Sequence, residues 1–275
     1  MTGLLRGVRS LTSVLLVGLL FMLGSVLLRL FVVPGAWLFP RHRFLLVSGY
    51  MKWISRNIQR LLTLGGARFR RRGQVPTAGP VLVIANHQGL VDITQITLLS
   101  HPRVPAFVSR RRYARFVPLV SQCIRLLGSP IVDPKRDPAA SVAEIRRGAR
   151  ELPHGILIFP EGHRSADGSI RAFRSAGVDA ILRERRTPVY LVLNEGIWRT
   201  RRFVDLLFRV HQIDAVSEVI GPFEPPEDPA ETPEFLKGLR QRLVDRLAEI
   251  RATPARHPEV KHEPTPRIRA PRLSP

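Results

Sequence analysis

The sequence predicts an α/β protein, a mainly parallel central sheet flanked by helices, preceded by an N-terminal hydrophobic helical region. Three observations lead there. Short apolar runs without alternation, as a sheet buried on both faces requires, recur at residues 81–85, 104–109, 156–160 and 189–194. Segments of helical spacing separate them, which argues for crossover helices covering the sheet. Ahead of all this, residues 11–28 carry no charge.

The apolar start comes first in the chain. Arg29 interrupts it, and residues 30–40 are again uncharged. About 20 apolar residues span a bilayer core. A secretory signal would be shorter and end at a small-residue cleavage site, which this run lacks. Residues 1–65 are therefore expected to anchor the chain to a membrane. Pro34-Gly35 breaks the run, which leaves two geometries open, one spanning helix or a re-entrant hairpin in one leaflet. Beyond it Leu46, Tyr50, Trp53, Ile54, Ile58 and Leu61 share one helical arc, and Lys52, Arg56 and Arg60 line another. Such a helix either lies on an anionic membrane surface or packs its apolar side on the globular domain. Arg6 and Arg9 precede the apolar run, while Arg41, Arg43, Lys52 and Arg56 follow it. If it spans, the bulk of the protein is cytoplasmic, as on a bacterial-type inner membrane.

Gly65-Gly66 and the cluster Arg68, Arg70, Arg71, Arg72 mark the start of a domain expected over residues 66–222. Within it Asp137-Pro138 is an N-cap and N1 signal. Val142, Ile145, Ala149 and Leu152 follow at helical spacing, and Pro153 stops the helix. Residues 223–252 hold a charged helix with Phe235, Leu236, Leu239, Leu243, Leu247 and Ile250 on one face. The Pro/Arg-rich tail, 253–275, cannot build a core and is expected to be disordered.

Composition narrows the partner. Lys and Arg number 43 against 22 Asp and Glu, a net charge of +21, which suits a polyanion, either nucleic acid or an anionic lipid surface. Aromatics make up only 7% of the chain, with no stacking pattern, and nucleic acid leaves the apolar start unexplained. Cys123 is the single cysteine, so no internal disulfide forms, and no Cys/His spacing points to a metal.

In a parallel α/β sheet, ligands bind beyond the carboxyl ends of the strands. Asn86, His87 and then Asp92 follow the first apolar run; Ser109 and Arg110 to Arg112 end or follow the second. Glu161, Gly162, His163, Arg164 and Ser165 follow the third, and Asn194 and Glu195 end or follow the fourth. Parallel strands bring all of these to one edge, as a site for an anionic substrate needs. A histidine can take a proton near neutral pH, and a carboxylate on its other N–H fixes the tautomer and stabilises the imidazolium. Five residues apart, His87 and Asp92 meet only if His87 sits in the turn and Asp92 in the first turns of the next helix. The bland alternative is a capping histidine beside a helix-start acid. There is no G-x-S-x-G serine and no Walker-type glycine loop. The attacking group is then one on the substrate, activated by His87, and Arg164 suits a phosphate.

At these residues the sequence resembles the glycerolipid acyltransferase family, typified by lysophosphatidic acid acyltransferases. "NHQGLVD" at 86–92 matches the family's NHxxxxD, with His87 and Asp92 in register. "FPEGHR" at 159–164 resembles FPEGTR, "RLLGSPIVDPKR" at 125–136 resembles a third block, and "TPVYLV" at 187–192 resembles a late strand. The resemblance implies transfer of a fatty acyl group from acyl-CoA or acyl carrier protein to a lysophospholipid hydroxyl, on a phospholipid bilayer. It implies His87 as general base, Asp92 as its orienting partner, and Glu161, Gly162, Arg164 and Arg136 as acceptor-binding groups. No metal and no cofactor are expected. Three positions depart from the pattern: His163 stands for Thr, Pro134 for an Arg beside Lys135 and Arg136, and Gly89 for a common Ser. An inactive lipid-binding membrane module is the competing class, and an acceptor other than lysophosphatidic acid the competing substrate.

Overall fold

The computed structural model describes residues 2–115 and 117–252; the tail expected to be disordered lies outside the described residues. The chain opens with α1 (Thr2–Leu27), a π turn over Leu28–Val32 and α2 (Val33–Leu38). These join into one apolar helix, Gly3–Leu38, of 36 residues, long enough to cross a bilayer. Pro34-Gly35 does not break it, against expectation. Pro34 lacks the N–H that would bond four residues back, and its ring crowds that carbonyl. The preceding turn widens to absorb the fault, with the Val33 N–H donating to Leu28 O five residues back. The reversal comes later, at Phe39–His42, and α3 (Arg43–Leu64) returns alongside α1.

The apolar side of α3 is also rotated from the expected arc. Val47, Met51, Ile54, Ile58 and Leu62 are buried in the common core, while Leu46 and Trp53 are largely exposed. The globular domain thus takes the stripe with the best 3–4 spacing. Tyr50 lies between the two sides and donates its hydroxyl to Gly24 O at 2.6 Å.

After Gly66, whose φ of +100° turns the chain, the basic cluster is itself a strand, β1 (Arg68–Arg72). There follow β2 (Val75–Pro76), β3 (Leu82–Ala85), α4 (Asp92–Leu99), β4 (Ser100–His101), β5 (Ala106–Phe107) and β6 (Ser109–Arg110). The run at 104–109 therefore splits: β5 joins the main sheet, and β6 turns away to pair with β7 (Ile131–Val132). Between them lies α5 (Val120–Leu126). Next come α6 (Pro138–Glu151), β8 (Ile156–Ile158), α7 (Ala176–Glu184), β9 (Val189–Glu195), α8 (Phe203–Arg209), β10 (Asp214–Phe223) and α9 (Thr232–Ala252). Asp137 caps α6 as its sequence signals, accepting the Ala140 N–H at 2.8 Å.

The main sheet has the order β1-β10-β9-β3-β8-β5. β3 runs parallel to β8 and β9, and β5 parallel to β8, while β10 is antiparallel to β9. This is the expected mainly parallel sheet, with an antiparallel pair added at one edge. Every residue of β3 and β8 is buried, which explains their unbroken apolar runs. Four strands consequently deliver their carboxyl ends to one side.

Candidate active site

His87 lies two residues past the end of β3, and Asp92 is the first residue of α4. The turn between them folds back, and His87 Nδ1 lies 2.7 Å from Asp92 Oδ2. Asp92 is fully buried, and the same oxygen accepts the backbone N–H groups of Gln88 (2.6 Å) and Gly89 (3.0 Å). An ionised carboxylate only accepts, so this contact assigns the proton to Nδ1 and leaves Nε2 as the free lone pair. The ring stacks on Phe159 at 4.2 Å between centroids, which fixes its second rotational freedom. Gly89 is needed for space: a Cβ there would lie 2.5 Å from Ile197 Cγ2.

The loop after β8 meets this turn from the other side. Glu161 is buried, and its two oxygens accept the backbone N–H groups of His87 (2.8 Å) and Arg171 (3.0 Å). Burial raises its pKa, and those two N–H groups oppose the shift. Glu161 thus braces the main chain at His87, and its oxygens are already engaged within the protein. The Ser165 N–H donates to His87 O at 2.7 Å and closes the brace.

Gly162 adopts φ +72°, the left-handed region, and its carbonyl accepts from Arg110 Nη2 at 2.7 Å. A Cβ there would touch the Arg174 guanidinium at 3.6 Å. His163, next in the chain, is exposed, and its pKa is lowered first by partial desolvation and then by the charges of Arg110, Arg174, Arg171 and Lys135. The charges of four cations, from β6 and two loops, thus bear on this imidazole. Arg164 is half-buried; its Nη1 donates to Arg201 O at 3.2 Å, and its Nη2 lies 3.5 Å from the Tyr113 hydroxyl. Arg136 is solvent-exposed, and its backbone N–H donates to Asp133 O. From that segment it is Lys135 whose charge reaches His163.

Sequence reasoning placed Asn86, Asn194 and Glu195 at this edge but did not foresee that they act as supports. Asn86 and Asn194 pair side chain to main chain across β3 and β9, at 2.8 and 2.7 Å, and Ser217 Oγ donates to Asn194 Oδ1 at 2.7 Å. Gln88 accepts the Ile197 N–H at 3.1 Å and donates to Glu195 at 2.8 Å, and Arg251 of α9 grips Glu195 at 3.0 Å. Buried amides at strand ends were the available signal for the first set. Nothing in the local sequence announces Arg251 or Arg171. Among the described residues there is no group of three or more His, Cys, Asp or Glu suited to a metal ion.

A mainly parallel sheet with a histidine–aspartate dyad and a cationic cluster at one edge defines an acyltransferase-type α/β domain. Residues 66–192 match the family model described as Acyltransferase, which supports the resemblance to glycerolipid acyltransferases. Among individual proteins it is similar to the chloroplastic 1-acyl-sn-glycerol-3-phosphate acyltransferase LPAT1 of Arabidopsis thaliana, 33% identical over 98 residues. That match covers 34% of this chain, and the chain spans about a quarter of that relative, 26%. A crystal structure of the 1-acyl-sn-glycerophosphate (LPA) acyltransferase PlsC from Thermotoga maritima shares the fold with a TM-score of 0.62. It is 21% identical, and the match covers 88% of this chain and 98% of that one.

Proposed function

We propose that this protein transfers a fatty acyl group from a thioester to the free hydroxyl of 1-acyl-glycerol-3-phosphate, giving phosphatidic acid for phospholipid synthesis. The observation that carries the reading is the 2.7 Å contact between His87 and the fully buried Asp92, beside the arginine-rich cluster around His163. His87 Nε2 takes the proton of the acceptor hydroxyl while its oxygen attacks the thioester carbonyl. The new C–O bond forms, the C–S bond breaks, and the imidazolium returns its proton to the departing thiolate. Asp92 stabilises the imidazolium between these events. Arg164 and the cluster of Arg110, Lys135, Arg171 and Arg174 suit the acceptor's phosphate. A binding module has no use for an oriented base on a buried carboxylate, which disfavours the inactive alternative. The thiol carrier is CoA or acyl carrier protein.

The membrane is the proposed site of action. The outer side of α1 exposes Leu4, Leu5, Val8, Leu15 and Leu19, while Ser10, Ser13, Val14, Ser25 and Leu28 are buried along the other side. A helix packed on its own domain along its length supports lying in one leaflet over crossing alone. The surplus of arginine suits the anionic cytoplasmic leaflet of a bacterial-type inner membrane.

Mass spectrometry of the lipids formed from mixed lysolipids and both donor types tests the reading. Phosphatidic acid as the main product supports it. A diacyl product with another head group, or none from either donor, contradicts it.

A further inference from the structure

We propose that α8 is a second lipid-contacting element, set at the mouth of the site, which inserts into an anionic leaflet. Phe203, Val204 and Phe208 are 59%, 64% and 52% exposed, and helical geometry gathers them within about 140° of arc. Leu206, on the other side, is buried, and Leu207, within that arc, packs partly against the core. Two phenylalanines held in water by a seven-residue helix are costly unless something covers them.

The surroundings say what covers them. α8 packs against α1, so its apolar arc adjoins the helix that exposes Leu15, Leu16, Leu19, Met22 and Leu23, with Arg6 and Arg9 exposed near its start, and the proposal rests on the reading that this apolar stretch meets lipid. Residues 198–209 carry four arginines and one aspartate, and Asp205 is already paired with Arg209 at 3.8 Å. That leaves Arg199, Arg201 and Arg202 around an aromatic patch, the chemistry of a helix lying on an anionic bilayer. A second copy of this chain would bring like charge to like charge. The lead-in to α8 is joined to the site, since Arg164 donates to Arg201 O at 3.2 Å. Insertion of α8 therefore holds the acceptor-binding arginine at the depth of lipid phosphates, and the acceptor enters sideways from the leaflet.

The test uses the full chain on phosphatidylglycerol vesicles. A single cysteine is introduced as Val204→Cys, Leu19→Cys or Gly238→Cys and labelled with an environment-sensitive fluorophore; native Cys123 is buried. Brominated lipids are expected to quench the labels at 204 and 19, but not the one on α9 at 238. A label at 204 that stays unquenched while 19 is quenched overturns the proposal. If neither is quenched, the lipid-facing reading of α1 falls with it.

A kinetic arm separates anchoring from chemistry. Phe203→Ser/Phe208→Ser is expected to raise KM about tenfold for acceptor presented in vesicles and to leave a short-chain, water-soluble acceptor unaffected. Equal losses on both acceptors, or a dimer that these changes dissolve, overturn the proposal. Wild-type protein inactive on both would refute the acyltransferase reading, while the quenching at 204 would still decide the fate of α8.

Discussion

Replacing Asp92 by Asn separates the carboxylate's charge from its shape. Oδ2 accepts three N–H groups, from His87, Gln88 and Gly89, and Oδ1 is buried with no hydrogen-bond partner among the described residues. The asparagine oxygen can occupy the Oδ2 position, so the turn should keep its geometry. What disappears is the attraction between carboxylate and imidazolium, which exists only once the proton has moved. Two unit charges 2.7 Å apart at an effective dielectric of about 20 attract by about 6 kcal/mol. The amide dipole keeps part of this, so a loss of about 3–5 kcal/mol is expected, about 10²–10⁴-fold in kcat. The acceptor's KM should change by less than threefold, because Asp92 reaches no bound lipid. Steady-state release of thiol from an acyl thioester gives both constants, and circular dichroism checks the fold. A kcat within threefold of wild type in a folded Asp92→Asn protein would mean that Asp92 is a helix-start acid and that His87 works without it.

Further perturbations test other parts. Gly89→Ala drives a Cβ to 2.5 Å from Ile197 Cγ2 and should cost about 1–3 kcal/mol. Ile197 is fully buried, so Ile197→Ala is destabilising by itself, but in a double-mutant cycle read by thermal melting it should cost less in the Gly89→Ala background than in wild type; a neutral Gly89→Ala would show that space does not select glycine here. Arg164→Ala should raise the acceptor's KM about tenfold to a hundredfold and the donor's far less, with Lys rescuing only partly. A selective loss of donor affinity would reverse the assigned orientation. His154 is buried against Phe44 with rings 4.4 Å apart, and burial, then Arg103 and Arg43, depress its pKa from 6.5 to about 4. Its folded value lies below the unfolded one, so its contribution is full above pH 6.5 and is lost as pH falls towards about 4, roughly 3 kcal/mol in all. His154→Phe should flatten that part of the stability–pH curve, and an unchanged acid slope would contradict the assignment.

Much of the fold was legible because β3, β8 and β9 are buried on both faces, and burial of that kind writes an unbroken apolar run. The dyad was legible because its two members sit in one turn. The fine placement of α3 was not: several apolar stripes compete on a helix that has Leu, Trp and Tyr on most sides, and only tertiary packing chose the Val47–Met51 side. Pro34 misled for a related reason, since a π turn can absorb a proline inside a long helix. Glu161 was expected to face the acceptor, but its oxygens answer two backbone N–H groups, one from a loop ten residues on. Such a partnership depends on the path of the chain in three dimensions and leaves no local pattern. The edge pair β1 and β10 escaped because β1 is nearly all arginine; it is held by pairing to β10 and by Arg70–Asp214 at 2.8 Å, not by burial.

The most direct measurement compares wild type with His87→Ala, purified and reconstituted in phospholipid vesicles, for phosphatidic acid formed from 1-acyl-glycerol-3-phosphate and an acyl thioester. Removing the general base should lower kcat by about 10²–10⁴ while the protein stays folded and vesicle-bound, because the His87 ring is held by Asp92 and Phe159 and contributes little to the core. A His87→Ala protein that keeps more than half the wild-type rate would contradict the assignment of this histidine as the base.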